Sequence, residues 1–282
     1  MMKNLFLIIS LLVSGCTVFG QDDKLKLNHI YFVLDSTSFE QIKASQSLKD
    51  WANMDKGLPN FDPVDKKSTT VYLRGRTTYL EIMGPQNKFG EKEGSIGIGF
   101  SWDVNGVFSD NIDAKLKKKG LKFERSESKW DFGNEKILWY SSYYATGKGS
   151  IGTWYAFYNP VFLTHLYQRP YTSFRREDFL ESKIDTSKEI KDLGAITLDC
   201  SIEDYRKISE ELTSFGVKVK ASDKHFIIFD VDSVEIKLNL TRRKISVIKE
   251  LRLKTQSKLT ENLKIGKLEL ESSAKELLIK LN

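Results

Sequence analysis

The chain has 282 residues, of which 40% are hydrophobic, 12% aromatic and 29% charged, an ordinary globular balance with ample material for a core. Two cysteines and three histidines exclude a disulfide scaffold, a cysteine-rich zinc site and a His-rich metal centre. The net charge of +6 is uneven: residues 242–282 hold eleven Lys/Arg against five Glu, so the basic character belongs to the C-terminal segment. No nucleic-acid motif accompanies it, which predicts a solvated basic face and no nucleic-acid partner, with an anionic membrane surface or polysaccharide as the second reading.

Residues 1–20 read as a signal peptide. Lys3 is a basic start, and Leu5 to Val13 is an apolar run too short to span a bilayer. Val13-Ser14-Gly15-Cys16 follows, and small residues directly before a cysteine resemble the bacterial lipobox. The expectation is lipidation of Cys16, a membrane partner through that anchor, and residence in the cell envelope. The alternative is cleavage near Gly20-Gln21 and a soluble periplasmic or secreted protein.

Residues 21–26 form a polar tether. Leu27 to Leu34 is a strand by its β-branched and aromatic content. Asp35 or Ser36 caps a helix with Phe39, Ile42 and Leu48 inward. Residues 53–67 read as a loop, and Thr69–Leu73 and Thr77–Met83 as paired strands. A second unit runs from a strand at Ser95–Val104 through a helix at Ile112–Gly120 to strands at Leu121–Arg125, Ile137–Ala145 and Thr153–Tyr158. The 161–193 stretch is a connector with a helix near 176–183. A third unit places a strand at Ala195–Cys200, an amphipathic helix at Ile202–Phe215, and strands at Val217–Lys220, His225–Val231 and Val234–Leu240. The tail predicts three strands, Val247–Thr255, Leu263–Leu270 and Glu276–Leu281, without a helix. The fold class is therefore α+β: repeated βαβββ units in curved, mostly antiparallel sheets, with a C-terminal β-rich segment. The organisation is a pair of units over 27–160, the connector, and a third unit plus tail over 194–282.

This order resembles the vicinal oxygen chelate superfamily, which includes glyoxalase I, extradiol dioxygenases and bleomycin-resistance proteins. Leu27-Asn28-His29-Ile30 is similar to its first-strand histidine segment, and Tyr79-Leu80-Glu81-Ile82 to its last-strand glutamate segment. The chain also resembles a bacterial secreted family of unknown function on that fold. The resemblance implies a cavity shared by two units and a divalent metal ion held by His29 and Glu81. The second unit departs from it: Gly97 falls where the second histidine belongs and Ala156 where the second glutamate belongs. At most half of the ligand set is present.

His29 and Glu81 are thus either a metal half-shell or an acid–base pair. His165, just after the second unit, is the candidate third group. Eighteen of 33 aromatics lie between Phe100 and Phe174. Strand alternation puts Tyr155 and Phe157 on one face and Trp154, Ala156 and Tyr158 on the other, so that one face is core and the other lines a pocket. Tyr31, Tyr155 and Tyr158 are candidate small-molecule contacts. No GxxxxGK[ST], GxSxG, HExxH or CxxC occurs; Gly147, Gly149 and Gly152 have GxGxxG spacing but lie in a Gly-rich turn between two expected strands and open no helix, so they are no nucleotide loop. The function expected is small-molecule binding in the cavity of the first two units, with or without a metal ion. The alternative is a non-catalytic binding, structural or interaction protein using its basic C-terminal sheet.

Overall fold

The computed structural model describes residues 24–103, 106–181, 183–259 and 261–282. The expected signal peptide and lipidation site, Cys16, lie outside the described residues. Among those described, no helix is long and apolar enough to cross a membrane.

Two eight-stranded mixed sheets form the protein. Sheet one contains β1 (Lys26–Val33), β2 (Asn53–Asp55), β3 (Thr70–Arg74), β4 (Tyr79–Met83), β5 (Ile96–Trp102), β6 (Phe123–Asp131), β7 (Lys136–Ala145) and β8 (Ile151–Tyr158). Its order is β2-β3-β4-β1-β5-β8-β7-β6. Two units therefore meet at the antiparallel β1–β5 pair, and within each unit the first and last strands run parallel. A parallel pair requires a crossover, and helices supply it. In the first unit these are α1 (Ser36–Ala44) and α2 (Gln46–Trp51); in the second, α3 (Asp110–Lys118). Asp35 caps α1 as expected, accepting the Ser38 N–H. The helix expected after it is two, because Ser45 ends α1 and caps α2. Within the expected 53–67 loop, Asn53–Asp55 adds an edge strand to β3.

Sheet two contains β9 (Ile190–Cys200), β10 (Lys218–Ser222), β11 (Phe226–Val231), β12 (Val234–Leu240), β13 (Val247–Thr255), β14 (Leu263–Ile265), β15 (Leu268–Ser273) and β16 (Glu276–Leu281), in the order β10-β11-β12-β9-β13-β16-β15-β14. The expected strand at Leu263–Leu270 is broken into a hairpin by Gly266, whose φ of +57° suits a turn and not a strand. The tail thus forms a fourth four-stranded unit without a helix. That loss has a topological consequence. β13 and β16 are antiparallel, whereas the first and last strands of the other units are parallel. Without the crossover helix the chain returns along the next strand in the opposite sense.

Helix α1 of the first unit packs where the fourth unit has no helix of its own. The Lys267 N–H donates to Ser38 Oγ at 3.0 Å, and a Cβ on Gly266 would stand 2.3 Å from that oxygen. Helix α5 (Ile202–Ser214) likewise bridges sheet two to sheet one. Its Asp204 accepts from the backbone N–H groups of Ser150 and Ile151 at 3.0 Å each and from Ser246 Oγ at 2.6 Å. Its Glu211 accepts from the Tyr155 hydroxyl at 2.6 Å and Thr153 Oγ1 at 2.7 Å. A single buried cluster fills the space between the sheets, including Leu27, Ile30, Phe32, Phe100, Tyr155, Ile196, Leu198 and Leu251. Cys200 ends in this layer. Burial, with Asp204 and Asp199 nearby, pushes its thiol up to about 12, the reverse of an activated nucleophile.

The connector folds onto the other face of sheet one. Helix α4 (Pro160–Tyr167), started by the Asn159 cap and Pro160, packs on β7, with Phe162 stacked on Trp139 at 5.1 Å. A short 3-10 helix at Arg176–Phe179 stands in place of the helix expected near 176–183. Phe162, Phe174, Phe179 and Leu180 build a second, separate apolar cluster with Trp154, Ala156 and Tyr158. Buried Arg176 ties this segment to the first strand, donating to the Leu27 carbonyl at 2.6 Å and pairing with Asp232 of sheet two.

Candidate functional site

The site grows from an irregularity in β1. Leu27 lies opposite Phe100 and His29 opposite Gly99, so Asn28 is an extra residue, a β-bulge. The extra residue shifts the alternation by one. Leu27 faces the inter-sheet core, while His29, only two positions on, faces the cavity on the opposite side. Asn28 then lies beside the imidazole, its Oδ1 2.8 Å from His29 Nδ1.

Register brings the partners in. Tyr79 is opposite His29 on β4, and the two rings stack at 4.4 Å and 10°. Glu81 is two residues along the same strand, with Oε2 3.5 Å from His29 Nε2. Tyr72 is opposite Glu81 on β3 and donates to its Oε1 at 2.8 Å. Trp154 on β8 meets the imidazole edge-on at 5.0 Å. Beneath Tyr72 and Tyr79 lies Arg74, with its guanidinium carbon 4.0 and 4.6 Å from their ring centres. Asp55 holds Arg74 in a two-point ion pair at 2.9 and 3.1 Å. Arg74 is therefore a buried support, with its charge already engaged.

Burial first, and the nearby Arg74 charge second, lower the His29 pKa to about 3. Burial raises that of Glu81, opposed by the Tyr72 hydroxyl, Arg74 and Lys88. The His29–Glu81 contact is close enough for an ion pair, but with a neutral imidazole it is a polar contact that a small approach of the two groups would turn into a hydrogen bond. Two proton arrangements satisfy it. With Glu81 protonated, its hydroxyl donates to Nε2 while Nδ1–H donates to Asn28. With Glu81 ionised, Nε2–H points at the carboxylate, and the Asn28 amide must turn to offer its NH2 to the bare Nδ1. The two arrangements differ by one proton on Glu81, so the site can release a proton to a polar ligand or take one from it. Burial also holds the Tyr72, Tyr79 and Tyr158 hydroxyls well above their usual range, so they remain protonated donors.

Around this centre is a cavity of about 430 Å³. Its walls include Tyr31, Trp130, Trp139, Tyr140, Tyr144, Trp154 and Tyr158, with Glu91, Lys88 and Phe89 at the approach. Tyr31 and Trp154 lie over the glycines of β5. A Cβ on Gly97 would stand 2.1 Å from the Tyr31 ring, and one on Gly99 2.5 Å from the Trp154 indole. The alternating glycines are there because flat rings lie against the strand.

That packing bears on the metal ion implied by the superfamily resemblance. The second half of its ligand set would come from β5 and β8, where the cavity face carries Gly97, Gly99, Trp154 and Ala156. No grouping of three or more His, Cys, Asp or Glu suited to a metal ion exists among the described residues. Among the described residues His29 and Glu81 form the donor pair of the cavity floor, with Glu91 out at the approach, and rings fill the space of the missing pair. The residues do not fit a resident four-ligand metal centre.

The expected residues divide as follows. His29 and Glu81 come together, and Tyr31 and Tyr158 line the cavity with them. Tyr155 does not: it points to the opposite face, fully buried between the sheets against Phe215 and Glu211. Its neighbour Trp154 takes the cavity face, as strand alternation demands. His165 also does not join the site. On α4 it faces Phe132 and Glu135, with Nδ1 3.4 Å from Oε1, away from the cavity lining. Tyr72, Tyr79, Asn28, Tyr140, Tyr144 and Glu91 were not anticipated. Tyr72 and Tyr79 were recoverable in principle, since they pair across the ladder with Glu81 and His29.

A family model matches residues 27–276, the Family of unknown function (DUF5829). The chain belongs to this family. No protein of curated function matches it by sequence. Among solved structures, a hypothetical protein from Staphylococcus aureus is similar at 11% identity and a TM-score of 0.54, over 86% of this chain and 95% of that one. That likeness is one of fold. The 2,2',3-trihydroxybiphenyl 1,2-dioxygenase of Sphingomonas wittichii strain RW1 matches at 11% identity and a TM-score of 0.44, over 82% of this chain and 73% of that chain. A xylose isomerase-like TIM barrel/4-hydroxyphenylpyruvate dioxygenase fusion protein matches at 9% and 0.43, with 81% of this chain aligned to 36% of that chain.

Proposed function

We propose that this protein is an exported, lipid-anchored member of the glyoxalase superfold that binds a small organic molecule in the aromatic cavity of sheet one. The observation that carries the reading is the cavity itself: about 430 Å³ walled by aromatic rings around one buried polar centre, His29, Glu81 and Tyr72. Apolar walls with few convergent polar groups are the general character of small-molecule sites. The pairing of two βαβββ units about β1 and β5 supports the superfold, as it is the plan the sequence resemblance implies. Because Trp130, Trp139 and Trp154 line the walls, occupancy should alter tryptophan fluorescence. A fluorine-NMR fragment screen should give ligands whose affinity falls about tenfold on Tyr144→Ala, with the melting temperature little changed. Fragments that ignore Tyr144→Ala and His29→Gln alike would place binding elsewhere.

Export rests on the Leu5–Val13 run and Val13-Ser14-Gly15-Cys16. Intact-mass spectrometry of the membrane fraction should find a mature chain beginning at lipidated Cys16; an unmodified chain beginning at Gln21 would make it a soluble exported protein. An interaction role for the basic C-terminal sheet has weaker support, because several of its cations are engaged within the fold. Lys280 pairs with Glu271, Arg252 with Glu250 and Glu276, and Lys267 with Asp35 and Glu93.

A further inference from the structure

We infer that the cavity selects organic cations, such as quaternary ammonium compounds, over neutral and anionic molecules of the same shape. The inference rests on the reading of the cavity as a small-molecule site and names the class of ligand it takes.

The first ground is the charge census of the wall. Glu81 is buried in the cavity floor and Glu91 is half-buried beside Tyr31. The cations nearby offset them only in part. Arg74 is held in two-point contact by Asp55, and its face is covered by Tyr72 and Tyr79. Lys88 is exposed at the rim, over the Phe89 ring at 5.1 Å. His29 touches Glu81 but is neutral at ordinary pH. A buried carboxyl whose protein partners are a phenol hydroxyl and a neutral imidazole gains most from a positively charged ligand.

The second ground is the walls. Tyr31, Trp154 and Tyr144 form a row of near-parallel rings, 5.9 and 6.2 Å apart at 27° and 24°. Tyr31, Tyr140 and Tyr144 remain half-exposed in the cavity. Ring faces carry negative electrostatic potential and attract desolvated cations, Trp most strongly. A quaternary ammonium group suits such walls because its charge is spread over methyl groups that need no hydrogen-bond acceptors. An anion would meet both the ring faces and the two carboxyl groups unfavourably.

Three phenols of matched shape test this: (4-hydroxyphenyl)trimethylammonium, 4-tert-butylphenol and 4-hydroxybenzenesulfonate, titrated into the mature protein and followed by tryptophan fluorescence and calorimetry. The cation should bind about tenfold or more tightly than the neutral phenol, a difference of about 1.4 kcal/mol, and the sulfonate most weakly. Glu81→Gln keeps the side-chain shape and should bring the cation and the neutral phenol to within about threefold, about 0.7 kcal/mol. Equal binding of the cation and the neutral phenol by the unaltered protein would overturn the charge selection while leaving the cavity as a binding site. Preference for the sulfonate would overturn it as well; a preference for the cation that survives undiminished in the Glu81→Gln, Glu91→Gln double variant would overturn the part assigned to the carboxyl groups and leave the ring faces as its source. Failure of all three phenols to bind would remove it, and fragment hits at the same walls would then show that the cavity reading stands without it.

Discussion

Acidification from pH 6.5 to pH 4.5 should remove about 2 kcal/mol of folding stability through His29 alone. The imidazole is buried neutral, with its pKa lowered to about 3. In the unfolded chain it takes a proton near its ordinary 6.5. Between those two values the unfolded state binds the proton and the folded state does not, so stability falls steadily as pH drops through that window. Across all of it the loss approaches about 5 kcal/mol. Glu81 works in the opposite sense, since its raised pKa lets the folded state take up a proton before the unfolded state does. In a Glu81→Gln background that contribution is absent, so comparing this background with its His29→Gln derivative isolates the histidine. Urea unfolding at several pH values should show the derivative losing markedly less stability on acidification. Parallel curves for the two proteins would mean that His29 is protonated in the folded state.

Asp55→Ala should destabilise the fold by about 3–5 kcal/mol, because it leaves the buried Arg74 guanidinium without its carboxylate. Asp55 also accepts the Gly57 N–H at 2.6 Å, which would be lost in the same step. Arg74 lies under Tyr79, and Tyr79 stacks on His29, so the damage should reach the cavity as weaker ligand binding. The double variant Asp55→Ala, Arg74→Met removes the stranded charge and should recover a large part of the stability, as replacing a buried ion pair by apolar groups often does. Denaturant midpoints for the two variants test both statements. A single variant within about 1 kcal/mol of the unaltered protein would show that Arg74 reaches water when released.

The amino-acid sequence by itself carried the succession of βαβββ units, because apolar content, cap residues such as Asp35 and turn glycines such as Gly216 act locally. The superfamily resemblance added His29 on the first strand and Glu81 on the last strand of one unit. Which way the side chains point was another matter. Leu27 to Leu34 is an almost unbroken apolar run, since β1 is buried on both faces, and such a run carries no alternation from which to read a face. The bulge at Asn28 that turns His29 into the cavity arises only when β5 pairs alongside. The same pairing decided against Tyr155. Strand alternation showed that Tyr155 and Tyr158 lie on opposite faces, but only helix α5, arriving from sheet two with Glu211, determined which face is core. His165 was drawn away by α4, whose packing on β7 directs it toward Glu135. The missing half of the metal set was already visible as Gly97 and Ala156. That flat rings occupy its place could not be read from the chain, because the rings of Tyr31 and Trp154 meet the glycines of β5 only across the sheet, through contacts between residues far apart in sequence.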